Sequence, residues 1–113
     1  MDFTALHREV IDFLARLSRR TDRMSVQSMG KSGLGQDMPV AVLSADRLFT
    51  PEAARAGGRP VVLVIANIHA GEVEGKEACL MLARDITTGA LSRLMERATV
   101  LLVPDYNPDG NDR

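Results

Sequence analysis

His69 and Glu72 stand three residues apart in the segment Asn67-Ile68-His69-Ala70-Gly71-Glu72. At the start of a helix or in a tight turn, a spacing of three brings both side chains to one side. An imidazole nitrogen and a carboxylate oxygen each reach a zinc ion at about 2.0–2.2 Å. Two ligands from one local segment make half of a site. A third ligand must come from elsewhere, and a catalytic site keeps the fourth position open to water. The pair alone is weak evidence. With two His and six Glu in 113 residues, chance supplies an H-x-x-E in about one such chain in ten. The plain alternative is a strand-end His bonded to backbone, with Glu72 favoured by a helix N-terminus.

Five other places carry chemistry-bearing residues. Asn107-Pro108-Asp109-Gly110 is a turn by residue type: Pro presets φ, Asp bonds its own backbone, and Gly takes a positive φ. Arg113 follows closely. A guanidinium near a metal grips a carboxylate with two hydrogen bonds, although an exposed surface Arg is the commoner case. The glycine-bearing stretch Gly30-Lys31-Ser32-Gly33-Leu34-Gly35-Gln36-Asp37 lacks phosphate-loop order and is expected to be a turn. Cys79, mid-helix among apolar residues, is expected to be a buried small hydrophobe. His7, beside Arg8 and Glu9, is expected to be solvated.

The elements that position these residues follow from periodicity. Phe3, Leu6, Val10, Phe13, Leu14 and Leu17 recur at helical spacing, giving a leading helix within residues 1–22 that closes near Arg19 and Arg20. Asp2 or Thr4 is the expected cap. Residues 24–29 and 38–44 predict two strands joined through the glycine-bearing turn. Residues 53–59 (AARAGGR) have the composition of a loop. Pro60 precedes the continuous apolar run 61–66 (VVLVIA), which predicts a strand buried on both faces, as in a parallel sheet. A helix is expected over 73–86, a short one over 91–97, and a buried strand over 99–103. Strand, helix, strand makes a βαβ unit. Ligands of such sheets bind beyond the carboxyl ends of the strands. The His69 segment and the Asn107 segment both fall there, adjacent if their strands are neighbours.

Charge and composition exclude several functions. The net charge is −1, with 14 Lys and Arg against 15 Asp and Glu, so nothing favours nucleic acid or an acidic membrane surface. No stretch approaches the ~20 apolar residues of a membrane helix. The first 14 residues carry charges throughout and do not form a secretory leader as written. Nothing else in the chain decides a compartment. The single cysteine excludes an internal disulfide. The length suits one modest core.

Taken in order, three features resemble the zinc carboxypeptidases, the relatives of carboxypeptidase A. A strand runs into G-K-S-G-L-G-Q-D-M-P-V, similar to the family's G-x-S-x-x-G-x-x-I hairpin. A hydrophobic strand runs into N-I-H-A-G-E-V-E-G-K-E, similar to its H-x-x-E zinc segment. A later strand runs into N-P-D-G. The resemblance covers about residues 20–113. It implies an α/β fold, a three-layer α/β/α arrangement with a mixed, largely parallel sheet. Residues 1–113 would be the N-terminal part of one catalytic domain, with a leading helix (1–22) and then the strands and helix of 23–113. It implies that His69 and Glu72 bind Zn2+, which activates water and polarises the scissile carbonyl. The implied substrate is a peptide or peptide-like molecule with a free C-terminal carboxylate, and Arg113 is the candidate to bind it. The family's third ligand (a later His), its general-base Glu and its N-R pair have no counterpart in these 113 residues. No catalytic residue is therefore assigned, and the chain alone is expected to be inactive. Two alternatives stay open: an acyl-amino-acid amidohydrolase of the succinylglutamate desuccinylase or aspartoacylase type, and a non-catalytic α/β binding module.

Overall fold

The computed structural model describes residues 6–69 and 74–112. The leading helix α1 spans His7–Ser18. Its start is held from within, because the Glu9 carboxylate accepts from the Leu6 N–H at 2.7 Å, the returning half of a capping box. The caps expected at Asp2 and Thr4 lie outside the described residues. Val10, Leu14 and Leu17 are buried, as the three-and-four spacing requires.

Strands β1 (Met24–Lys31) and β2 (Asp37–Leu43) form the expected hairpin, paired antiparallel from Met24–Leu43 to Ser28–Pro39. Residues 53–59, expected to be loop, are largely helical: α2 spans Pro51–Gly57. The signal lies just upstream of the stretch read. The Thr50 hydroxyl accepts from the Ala53 N–H at 3.1 Å, Pro51 sits at the first helical position, and Gly58 closes the helix in the left-handed region, φ 76°. Cap, proline and terminal glycine make a complete short-helix signature. Gly57 also lets Leu48 approach, since an added Cβ would lie 2.3 Å from Leu48 Cδ1.

Strand β3 (Val61–Ile65) leads through the His69 segment to α3 (Glu74–Thr88), then α4 (Leu94–Arg97) and β4 (Thr99–Val103). A last single turn, α5, spans Pro108–Asn111. The sheet order is β1-β2-β4-β3. It is mixed, as expected: β4 pairs antiparallel with β2, and parallel with β3 from Val61–Thr99 to Ile65–Val103. The parallel pairing described is confined to β3 and β4.

Side chains alternate across the sheet. Ala41, Leu43, Val100 and Leu102 meet α1, α3 and α4 through Leu14, Leu80, Ile86 and Met95 in the main core. On the opposite face, Val40, Val42 and Val103 pack with Phe49 and Leu101. Strand β3 departs from expectation. It was expected to be buried on both faces, yet Val61 is 52% and Leu63 54% exposed. In the described sheet it is the edge strand, so only β4 covers one side of it. Its continuous apolar composition suits more neighbours than the described residues provide.

Candidate metal centre

The two loops expected to meet do meet. Because β3 and β4 are parallel neighbours ending at Ile65 and Val103, both chains leave the sheet on the same edge. Backbone bonds then hold them together beyond the ladder. Ala66 N–H donates to Val103 O at 2.9 Å, Tyr106 N–H to Ala66 O at 3.0 Å, and Asn107 N–H to Asn67 O at 3.1 Å. The β3 chain bends away at Asn67, whose φ of 58° lies in the left-handed region that Asn tolerates better than most residues. Two residues later comes His69, exposed at the carboxyl end of β3. Glu72 and Arg113, the other candidate site residues, lie outside the described residues.

The Asn107–Gly110 segment does more than turn. The Asn107 side chain accepts from the Gly110 N–H at 3.0 Å and caps α5. Asp109 reaches across to the hairpin turn. Its carboxylate accepts from Ser32 Oγ at 2.7 Å, Leu34 N–H at 3.0 Å and Gln36 Nε2 at 3.0 Å. The glycine-bearing turn and the N-P-D-G turn, separate signals in the sequence, are thus one joined structure.

At the foot of the His69 segment, around Asn67, lies a polar network that is buried at His7, Asn67, Asp105 and Lys76 and reaches solvent at Asp112. His7, expected to be solvated, is 2% exposed. Its Nδ1 donates to Asp105 Oδ2 at 2.9 Å, the carboxylate being an acceptor only, and its Nε2 lies against the Asp37 carbonyl oxygen. Asn67 Nδ2 donates to Asp105 Oδ1 at 2.6 Å and to Asn111 Oδ1 at 3.0 Å. Asn111 Nδ2 donates to Asp112 Oδ1 at 3.0 Å, and the same oxygen accepts from His7 N–H at 2.9 Å. The bonds close into a ring through His7, Asp105, Asn67, Asn111 and Asp112. Lys76 of α3, fully buried, donates to Asn111 Oδ1 from inside. Burial pushes the Asp112 carboxyl up, but donation from the His7 backbone and Asn111, with the charges of His7 and Lys76, outweighs it and holds the group below its ordinary value.

The sequence reading missed this network, although a signal was present. His7 falls in step with Val10, Leu14 and Leu17, and Lys76 with Cys79, Leu80, Ala83 and Ile86. Both therefore lie on the buried stripes of their helices. A charged residue on such a stripe needs partners. Cys79 is buried as expected, and that burial raises its thiol from 9.0 to about 11.

An imidazole at a strand end and a carboxylate three residues on are ligand types that zinc accepts, so the donor set fits two positions of such a site. Among the described residues, no three His, Cys, Asp or Glu gather as a metal-holding group.

The arrangement is that of the metallocarboxypeptidase fold. The chain superposes on carboxypeptidase A from Helicoverpa armigera with a TM-score of 0.81 at 21% identity, over 94% of this chain and 25% of that one. It superposes on a metallo-carboxypeptidase from Burkholderia cenocepacia with a TM-score of 0.75 at 24% identity, over 95% of this chain and 28% of that one. In sequence, it is 34% identical over 101 residues to carboxypeptidase D of Mus musculus, covering 76% of this chain and 7% of that protein. It is 30% identical over 101 residues to carboxypeptidase 2 of Trichophyton rubrum, covering 87% of this chain and 18% of that protein. The model of the zinc carboxypeptidase family matches residues 10–113. The chain belongs to the zinc carboxypeptidase family, whose members are metal-dependent hydrolases of peptides. It spans less than a fifth of the length of these two relatives.

Proposed function

We propose that residues 1–113 form the first part of a single zinc carboxypeptidase domain, in which His69 and Glu72 supply two of the metal ligands. The observation that carries this reading is the position of His69. It follows the strand run parallel to its neighbour, on the sheet edge where ligands of such folds bind, in a chain of this family. Zinc held there would lower the pKa of a bound water and polarise the scissile carbonyl. The chain's own residues supply the rest: His69 and Glu72 as ligands, with Asn67, tied to Asn111 of α5, anchoring the start of the segment that carries them. Arg113 is the proposed grip on the C-terminal carboxylate of the substrate, through two parallel hydrogen bonds. The substrate is a peptide or peptide-like molecule ending in a free carboxylate. A site of two protein ligands is short of the three that catalytic zinc sites use, so these 113 residues alone are expected to release no C-terminal residue.

The test joins residues 1–113 to the remaining part of a zinc carboxypeptidase domain. Release of the C-terminal residue is then followed on a free-acid peptide and on its C-terminal amide. The expected result is zinc-dependent cleavage of the free acid, lost in His69→Ala and in Glu72→Ala. A folded chimera that cleaves with both residues replaced, or that prefers the amide, would contradict the reading.

A further inference from the structure

We infer that His7 and Asp105 are positioning residues for the His69 segment, acting through Asn67. The inference deepens the proposed site and rests on that reading. Three observations support it. First, the ring joins segments far apart in sequence: the start of α1, the loops after β3 and β4, and α5. Its two longest links, His7 to Asp112 and His7 to Asp105, span 105 and 98 residues. Second, its members are costly to bury unless paired. His7, Asp105 and Asn67 are at most 4% exposed, and buried polar groups persist only when bonded. Third, the ring converges on a residue in an unusual conformation. Asn67 has φ 58°, and both hydrogens of its amide nitrogen are used, one on Asp105 and one on Asn111. That fixes the backbone two residues before His69, where the chain turns out of the sheet.

The division of labour follows from these bonds. Asp105 holds Asn67, His7 holds Asp105, and His7 is itself seated against the β2 backbone at Asp37. Neither His7 nor Asp105 is proposed to touch metal or substrate. Among the described residues, Asn67 Oδ1 is buried and makes no hydrogen bond, so this side chain is held by its nitrogen alone.

The test separates a local positioning role from general stability. Asn67→Gly removes the side chain while leaving a residue that adopts positive φ without strain, so the fold is retained. His7→Leu removes the donor to Asp105, and His7→Asn restores a donor on a short arm. Amide hydrogen exchange is read in the 113-residue chain at Tyr106 and Asn107, whose N–H groups hold the two loops together, and at Val42 and Ile86 as core reporters. Zinc affinity is read at the His69 ring by NMR titration. Asn67→Gly and His7→Leu are expected to lower protection at Tyr106 and Asn107 about tenfold or more, with Val42 and Ile86 unchanged. His7→Asn is expected to recover most of it. Zinc affinity at His69 is expected to fall about 10–100-fold, the usual cost of removing support behind a ligand. Unchanged protection at Tyr106 and Asn107, or an equal loss at all four amides, would overturn the inference. If the wild-type chain shows no zinc response at His69, the metal reading fails by itself, while the exchange pattern still decides whether the ring positions the segment.

Discussion

Replacing Asp109 by Ala tests how firmly the N-P-D-G turn is tied to the hairpin. The carboxylate accepts from Ser32 Oγ, Leu34 N–H and Gln36 Nε2 at 2.7–3.0 Å. A hydrogen bond to a charged group contributes about 1.5–3 kcal/mol when its partners are buried. Here Leu34 is exposed, while Ser32 and Gln36 are half-buried, so water takes over much of the bonding once the carboxylate is gone. A total loss of about 2 kcal/mol is therefore expected, well below the sum of three such bonds. For a domain of this size that corresponds to a fall in Tm of roughly 7 °C. Asp109→Asn keeps one acceptor oxygen but loses the charge, and should fall about midway. Asp46→Asn is the control. Asp46 pairs with Arg59 at 3.1 Å but is 57% exposed, and such pairs contribute about 0–1 kcal/mol. The assay is urea denaturation followed by circular dichroism, with Tm by calorimetry. An Asp109→Ala protein within about 0.5 kcal/mol of wild type, the scatter of ordinary surface substitutions, would refute the reasoning. So would an Asp46→Asn protein that loses as much.

Two further outcomes follow from burial and exposure. Cys79 is raised from 9.0 to about 11 by burial, so at pH 8 the native chain holds about 100-fold less thiolate than an unshifted thiol. Disulfide-reagent labelling should be at least that much slower in the native chain than in denaturant, and comparable rates would show that the α3 face is open. Leu63→Lys places a charge on the bare β3 strand, where Leu63 is 54% exposed. It should reduce concentration-dependent association in sedimentation velocity, because exposed apolar edges recruit other chains; unchanged association would place the sticky surface elsewhere.

Much of the fold was legible because its elements are strongly patterned. The spacing of Val10, Leu14 and Leu17 marked α1, and the β-branched run from Val61 marked β3. The parallel direction of β3 and β4 followed from strand, helix, strand order, while their direct pairing was set by the fold. What stayed hidden was set at long range or by caps. Thr50, Pro51 and Gly58 made a helix of a stretch whose alanines, arginines and glycines read as loop. The exposure of Val61 and Leu63 depends on which strands stand beside β3, and no local pattern carries that. At the candidate site, the placement of His69 at the carboxyl end of β3 was legible from strand order. The ring around Asn67 was not, because its partners lie as far apart as His7 and Asp105. The helical phase of His7 and Lys76 was the available clue. Asp109 looked like a turn residue by type, and its contact with Ser32 and Gln36 appears only once the β3 and β4 loops and the hairpin are brought together.

X-ray absorption at the zinc edge of the zinc-loaded chain tests the central claim most directly. The chain has two histidines, and His7 is buried and bonded to Asp105, so an imidazole seen by zinc can be assigned by substitution. The expected spectrum has one imidazole nitrogen at about 2.0–2.1 Å with oxygen ligands beside it. The imidazole signature should vanish in His69→Ala and persist in His7→Asn. An imidazole that survives in His69→Ala, or a zinc shell with no nitrogen at all, would contradict the assignment of His69 as a ligand.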